Sequence, residues 1–120
     1  MSNRPESGQM PIILLHGWGM NKQIWQGIRE SLPTELQQRV TALDLPGFGD
    51  NSQILEPYDL TNLSNWLNEQ VHSPSIVIGW SLGGLVAQRF ATDFPDKVQS
   101  LGLVASTPKF LAEGDWPGIK

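Results

Sequence analysis

The segment Ser75-Ile-Val-Ile-Gly-Trp-Ser-Leu-Gly-Gly84 decides the fold of this chain. After Ser75, residues 76–78 are apolar and β-branched and predict a buried strand. Residues 82–94 predict a helix that stops at Pro95. Between them, residues 79–83 fit the pattern G-x-S-x-G, in which a strand turns sharply into a helix with a serine at the tip. Side chains two residues before and after the serine would collide there, so both positions favour glycine. The segment therefore predicts a strand–turn–helix unit that holds Ser81 clear of a sheet.

Strands and helices alternate along the rest of the chain. The apolar runs at 10–16, 39–44, 75–79 and 98–104 predict strands, of which the last would be an apolar edge of the sheet. Pro33 and Pro74 close two further helices, the first capped by Asn21 and the second opened by Asp59 or Thr61. Such alternation is typical of a parallel sheet with helices on both faces. We expect an α/β fold of three layers with no domain boundary inside the chain.

Composition excludes several classes of protein. With 120 residues, 39% of them hydrophobic and only 17% charged, the chain suits one globular domain rather than a disordered polyelectrolyte. A net charge of −4 and the absence of any Lys/Arg run argue against a nucleic-acid partner. The chain has no cysteine, and its apolar runs are far shorter than the roughly 18 residues of a membrane span. We therefore expect no disulfide, no thiolate metal site, no membrane partner and a cytoplasmic location.

The predicted turn places Ser81 at the N-terminus of a helix, where backbone N–H groups favour a developing oxyanion. A second turn, His16-Gly-Trp-Gly19, follows the first strand and can present the N–H of Trp18 beside that of Leu82. We interpret Ser81 as a catalytic nucleophile and these two N–H groups as an oxyanion hole that contacts the substrate. The alternative is a pair of glycine-rich turns with an inert serine.

The five tryptophans suggest an aromatic substrate site only in part. Trp18 and Trp80 flank the predicted oxyanion hole and are candidate walls of an apolar pocket, with Met20 as a weaker candidate. Trp25 and Trp66 lie on predicted helices, where packing is the simpler interpretation.

Three ionisable residues resemble members of a catalytic triad but have other interpretations. His16 ends a strand, where we expect it to hydrogen-bond and shape the loop rather than act as the base. His72 precedes Ser-Pro at a helix end and is interpreted as a surface residue. Asp44 begins the turn Asp44-Leu-Pro-Gly-Phe-Gly49, and its carboxylate is expected to cap local backbone N–H groups. These interpretations assign no residue of this chain as triad acid or histidine.

Three motifs, in this order and spacing, carry a resemblance to a known family. His16-Gly-Trp-Gly19, Asp44-Leu-Pro-Gly-Phe-Gly49 and Gly79-Trp-Ser-Leu-Gly-Gly84 resemble the α/β-hydrolase superfamily over residues 10–120. Three features together are similar to the pimeloyl-[acyl-carrier protein] methyl ester esterases of biotin synthesis: Trp18 in the first motif, Trp-Ser-Leu in the third, and the tail Ser106-Thr-Pro-Lys-Phe110 followed by Asp115-Trp-Pro-Gly-Ile-Lys120. The tail is the most specific of the three.

The resemblance implies a serine carboxylesterase that hydrolyses a methyl ester on a carrier-bound acyl chain or a small ester, without metal or cofactor. It also implies that residues 10–107 are the N-terminal part of the hydrolase core, preceded by a flexible segment, 1–9. Residues 108–120 would begin the segment that leads to a lid and a C-terminal half, which this chain lacks. On that basis we expect the 120-residue chain alone to be inactive as an esterase and to self-associate through the exposed edge at 98–104.

Two alternatives stay open from the sequence. The same fold and turn occur in other serine enzymes: broad esterases, perhydrolases and a menaquinone-pathway lyase. The second alternative is a non-catalytic fragment that uses the half-fold as an interaction surface.

Overall fold

A computed structural model describes residues 10–104, which form four strands and four α-helices. The strands are β1 (Ile12–Leu15), β2 (Val40–Leu43), β3 (Ser75–Trp80) and β4 (Val98–Val104), and the α-helices are α1 (Gln26–Glu30), α2 (Thr34–Gln37), α3 (Leu60–Gln70) and α4 (Leu82–Asp93). Short 3₁₀ turns precede α1 at Lys22–Trp25 and β4 at Pro95–Lys97. The predictions for 1–9 and 108–120 lie outside the described residues.

The strands form one parallel sheet in the order β2-β1-β3-β4. Leu15 at the end of β1 is in register with Leu43 of β2 and with Gly79 of β3. The chain leaves β1 toward β2 and leaves β3 toward β4, so the connections diverge from this central pair of strands. In parallel sheets, ligands bind where connections diverge, beyond the carboxyl ends of the strands. A ligand site is therefore expected at the loops that follow Leu15 and Trp80.

The two faces of the sheet have separate cores, because side chains alternate along each strand. Ile13, Leu15 and Val77 point to the face that α3 and α4 cover; Phe90 of α4 is fully buried there. Leu14 and Ile78 point to the opposite face, which the segment containing Trp25 covers. The predicted three layers, with helices on both faces of a parallel sheet, are confirmed for the described residues.

The first predicted helix is wrong in its extent. Asn21 does cap it, with its side chain accepting the Gln23 N–H at 2.8 Å, but the segment is a 3₁₀ turn followed by the short helix α1. A further helix, α2, starts directly after Pro33. Proline fixes φ and lacks an N–H, so it ends one helix and suits the position before the next. The predicted cap at Asp59 is confirmed: its carboxylate accepts the Asn62 N–H at 2.8 Å.

Strand β4 is an outer strand of the described sheet. Leu101, Leu103 and Val104 expose about two fifths of their surface, as expected of an apolar edge. Self-association through this edge stays a prediction. Within residues 10–104, no helix combines the length and apolar character needed to cross a membrane.

Candidate active site

Ser81 lies at the tip of the turn between β3 and α4, in a backbone conformation that serine rarely adopts. Its φ of 57° and ψ of −115° make it the one non-glycine residue with positive φ among residues 10–104. Hydrogen bonds hold this backbone on both sides: its N–H donates to the Val104 carbonyl at 3.1 Å, and its carbonyl accepts the Gly84 N–H at 2.9 Å. Such conformations cost about 1–3 kcal/mol and persist only where the surroundings impose them. The predicted sharp turn is therefore present, with Ser81 at its apex.

The two glycines of the motif are required by close backbone packing. A Cβ at Gly79 would overlap the backbone of Gly83. A Cβ at Gly83 would overlap the carbonyl oxygen of Leu15 and lie 2.6 Å from that of His16. The first turn of α4 thus rests on β3 and on the end of β1, and this brings the loop after β1 beside Ser81.

Replacing Gly79 with alanine is expected to destabilise the fold by about 1–3 kcal/mol or more, because the new Cβ meets backbone that cannot move aside. Gly27→Ala is the matched control: a Cβ there meets nothing within 4 Å, and alanine favours a helix over glycine by about 1 kcal/mol. Urea unfolding of both variants measures the difference. Equal midpoints for the two variants would contradict the packing argument.

The loop Gly17–Met20 lies against Ser81. A Cβ on Gly17 would be 3.1 Å from the Ser81 Cβ and 3.2 Å from the Trp80 carbonyl oxygen. The Met20 N–H donates to the Gly17 carbonyl at 3.1 Å, and Gly19 has φ +76°, which is the pattern of a type II turn with Trp18 at its second position. The structure therefore places the peptide between Gly17 and Trp18 and the start of α4 next to Ser81.

The second N–H predicted for the site belongs to Leu82, the first residue of α4. An N–H in the first turn of a helix has no partner within the helix, and the helix dipole makes it attractive to an anion. Chemically, this arrangement suits an anionic oxygen that develops beside the Ser81 hydroxyl. The donor roles of Trp18 and Leu82 stay predictions.

His16 is fully buried and hydrogen-bonds through both ring nitrogens. Its Nε2 accepts the Leu45 N–H at 2.9 Å, and its Nδ1 donates to the Gly17 carbonyl oxygen at 2.8 Å. Burial lowers the pKa of His16, although the bond to Gly17 and the charge of Asp44 act in the opposite direction. The ring is neutral and has no lone pair left for a serine proton, which agrees with the predicted role in shaping the loop.

Asp44 caps backbone N–H groups, as predicted, but one of them is remote in sequence. Its carboxylate accepts the Asp50 N–H at 3.0 Å and the Lys22 N–H at 2.7 Å, with the Lys22 ammonium 4.0 Å away. Burial alone would raise the pKa of Asp44, but the two N–H bonds and Lys22 together lower it. The ionised carboxylate therefore ties the turn after β2 to the 3₁₀ turn that follows the Trp18 loop.

Trp18 belongs to an aromatic cluster that the sequence analysis missed. Its side chain is 64% exposed and meets Phe48 edge-on at 5.3 Å and Tyr58 at 6.3 Å between ring centroids. Phe48 also meets the His16 ring edge-on at 5.4 Å. The position of Phe48 in the turn after β2 was the one available signal, because loops at the carboxyl ends of neighbouring strands converge.

Trp80 and Met20, the other two candidates for the substrate pocket, lie in different places. Trp80 points to the opposite face of the sheet and meets Trp25 at 6.1 Å, and Trp25 is buried, as predicted for a packing residue. Trp66 is buried too. The Met20 sulfur lies 3.4 Å from the position of a Cβ on Gly17, next to the predicted oxyanion hole.

Among residues 10–104, no group of three or more His, Asp or Glu side chains is placed to hold a metal ion.

The sequence matches a known protein family over nearly its whole length. The family model described as the alpha/beta hydrolase fold matches residues 10–119, nearly the whole chain. The chain belongs to the α/β-hydrolase fold family. Among solved structures, a bacterial membrane phospholipase A is similar, with a TM-score of 0.70 and 30% identity over 87% of this chain and 34% of that one.

Curated relatives in this family carry one name. The chain is 49% identical over 108 residues to the pimeloyl-[acyl-carrier protein] methyl ester esterase of Pseudoalteromonas atlantica, covering 89% of this chain and 41% of that protein. It is 43% identical over 115 residues to the enzyme of the same name from Photorhabdus laumondii, covering 96% of this chain and 43% of that protein. The chain thus spans about two fifths of the length of these α/β-hydrolases, and the resemblance found from the motifs is confirmed.

Proposed function

We propose that these residues form the N-terminal part of a serine carboxylesterase that hydrolyses the methyl ester of pimeloyl-[acyl-carrier protein] in biotin synthesis. The observation that carries the proposal is the position of Ser81, held at φ 57° at the tip of the β3–α4 turn and against the loop that bears Trp18. The names of relatives at 43–49% identity support the choice of substrate. In this proposal, the full-length enzyme consists of these residues together with the remaining length that the relatives possess.

The reaction is acyl transfer in two steps. A histidine base takes the Ser81 proton as Oγ attacks the ester carbon, and the carbonyl oxygen becomes an oxyanion that the Trp18 and Leu82 N–H groups stabilise. The bond from that carbon to the methoxy oxygen breaks, and methanol leaves with the proton that the base returns. Water then hydrolyses the acyl-enzyme to release the carboxylate and regenerate Ser81. These steps use protein groups and water only.

The base in this scheme comes from the remainder of the full-length enzyme. The chain has two histidines, and both ring nitrogens of His16 are occupied. His72 is exposed and precedes β3, whereas Ser81 follows the far end of that strand. At about 3.3 Å per residue, the six residues of β3 separate them by roughly 20 Å. A proton cannot pass directly over that distance, since general-base catalysis needs hydrogen-bond reach.

The partner in this proposal is an acyl-carrier protein that presents the ester, in the cytoplasm. The exposed Trp18 ring contacts Phe48 and Tyr58 edge-on and belongs to the loop that lies against Ser81. It therefore offers an apolar surface that suits an acyl chain. A small ester would reach Ser81 in the same way but would cover less of this surface.

Two substrates test the proposal with the full-length enzyme: the methyl ester of pimeloyl-[acyl-carrier protein] and a short-chain p-nitrophenyl ester. We expect methanol release from the first and a kcat/KM at least about tenfold above that for the second, because only the carrier-bound substrate uses remote binding energy. Turnover of the p-nitrophenyl ester alone would contradict the proposed substrate and indicate a serine esterase of another specificity. Failure to turn over either substrate would contradict the esterase mechanism and favour a lyase or a non-catalytic protein.

A further inference from the structure

The ring of His16 joins three segments around the candidate site. It lies at the end of β1, accepts the N–H of Leu45 in the turn after β2, and donates to the carbonyl of Gly17 at the start of the Trp18 loop. It is fully buried, with Phe48 edge-on against it. The ring is therefore held in one orientation by two hydrogen bonds of opposite direction.

These two bonds fix the tautomer of the ring. A backbone N–H can only donate, so Nε2, which faces the Leu45 N–H, carries no proton. A carbonyl oxygen can only accept, so Nδ1, which faces the Gly17 oxygen, carries the proton. Both the other neutral tautomer and the imidazolium would place two donors face to face at Nε2.

The Gly17 oxygen belongs to the same peptide unit as the Trp18 N–H. In a trans peptide these two groups point in opposite directions. The His16 Nδ1–H at 2.8 Å and the Met20 N–H at 3.1 Å both hold the oxygen on one side. The Trp18 N–H is thereby turned to the other side.

We propose that His16 is a positioning residue that sets the direction of the Trp18 N–H through its Nδ1–H bond to the Gly17 carbonyl. This inference rests on the proposed function, because it gives that N–H a catalytic task. His16 touches no substrate; it acts on the reaction only through the peptide between Gly17 and Trp18. Its second bond, to Leu45, holds the turn after β2 and contributes to stability rather than to the direction of the donor.

Two substitutions of His16 separate the effects of its bonds to Gly17 and Leu45. The side-chain amide of asparagine lies near the position of Nδ1, and that of glutamine lies near the position of Nε2. In the full-length enzyme, His16→Gln keeps an acceptor for Leu45 and loses the donor to Gly17, so kcat should fall about tenfold with KM changed less than threefold. The loss is limited because the Met20 N–H still holds the oxygen. His16→Asn restores the donor and should recover most of that kcat, although its urea midpoint should be lower. Equal kcat values, or a lower value for asparagine, would overturn the proposal.

A double-mutant cycle with Trp18→Pro, which has no N–H to position, tests the route of the effect. If His16 acts through the Trp18 N–H, His16→Gln should lower kcat less than twofold in the Trp18→Pro background. A full tenfold loss there would show that His16 acts by another route. These comparisons need measurable turnover, which the proposed function predicts.

A spectroscopic measurement on the wild-type protein tests the tautomer of His16 without any substitution and without esterase activity. In wild-type protein labelled with ¹⁵N-histidine, the His16 ring should show a protonated Nδ1 and an unprotonated Nε2 at neutral pH. A protonated Nε2 would overturn the proposal even in an active enzyme. The assigned tautomer in an enzyme without ester turnover would leave the geometry standing and contradict the proposed function alone.

Discussion

Replacing Ser81 with alanine in the full-length enzyme is expected to lower kcat by several orders of magnitude, about 10⁴-fold or more, without loss of the fold. The substitution removes the hydroxyl oxygen that we propose as the nucleophile, and without it the proposed acyl-enzyme cannot form. Alanine keeps the Cβ, so the cost of the φ of 57° stays the same and the contact with Gly17 is preserved. We therefore expect kcat to fall while the urea midpoint moves little.

Ester turnover and labelling by a fluorophosphonate together check this result. The wild type should be labelled once, and Ser81→Ala should not be labelled. Ser52→Ala is a matched control, since Ser52 is exposed in the loop after β2 and lies in no helix or strand. Ester hydrolysis retained in Ser81→Ala would contradict the assignment of the nucleophile.

Much of the site could be predicted from sequence because its constraints are local. Gly79 and Gly83 lie within five residues, and their need for glycine follows from the shape of a sharp turn, which the backbone contacts confirm. The fold class was equally accessible, since the strands from Ile12 to Val104 alternate with helices closed by prolines. These features need no knowledge of which strands are neighbours.

The missed features depend on contacts between distant segments. Phe48 meets Trp18, thirty residues earlier in the chain, only because β1 and β2 are adjacent and end at the same edge. The bond from the Lys22 N–H to Asp44 has the same origin. Helix α2 was missed for another reason: its four residues carry no apolar period long enough to detect.

The orientation of Trp80 follows from a local rule. Along β3, Val77 and Gly79 are buried toward one face, so the period of two places Trp80 on the other face with Ile78. The role of Trp80 as a wall of the substrate pocket was inferred from its proximity to Ser81 in sequence, and it stays a prediction. A residue that directly precedes a sharp turn still follows the alternation of its strand.

The second large effect is expected at Trp18, where proline removes the predicted oxyanion donor. In the full-length enzyme, Trp18→Pro should lower kcat about a hundredfold or more, the usual loss when one such donor is removed. The turn itself should survive, because Trp18 occupies the second position of the type II turn, where proline is favoured. The bond that closes this turn is donated by Met20, so it does not use the N–H that proline lacks.

The proline variant also loses the aromatic ring, so its effect must be compared with variants that keep the N–H. Trp18→Ala removes the ring and its contacts with Phe48 and Tyr58, and it should mainly raise KM by weakening contact with the acyl chain. Trp18→Phe should cost less in both constants. Since alanine and proline both lack the ring, the ratio of their kcat values measures the N–H. Equal kcat in these two variants would show that the loop after β1 does not supply the oxyanion hole and would leave Leu82 as its one proposed donor.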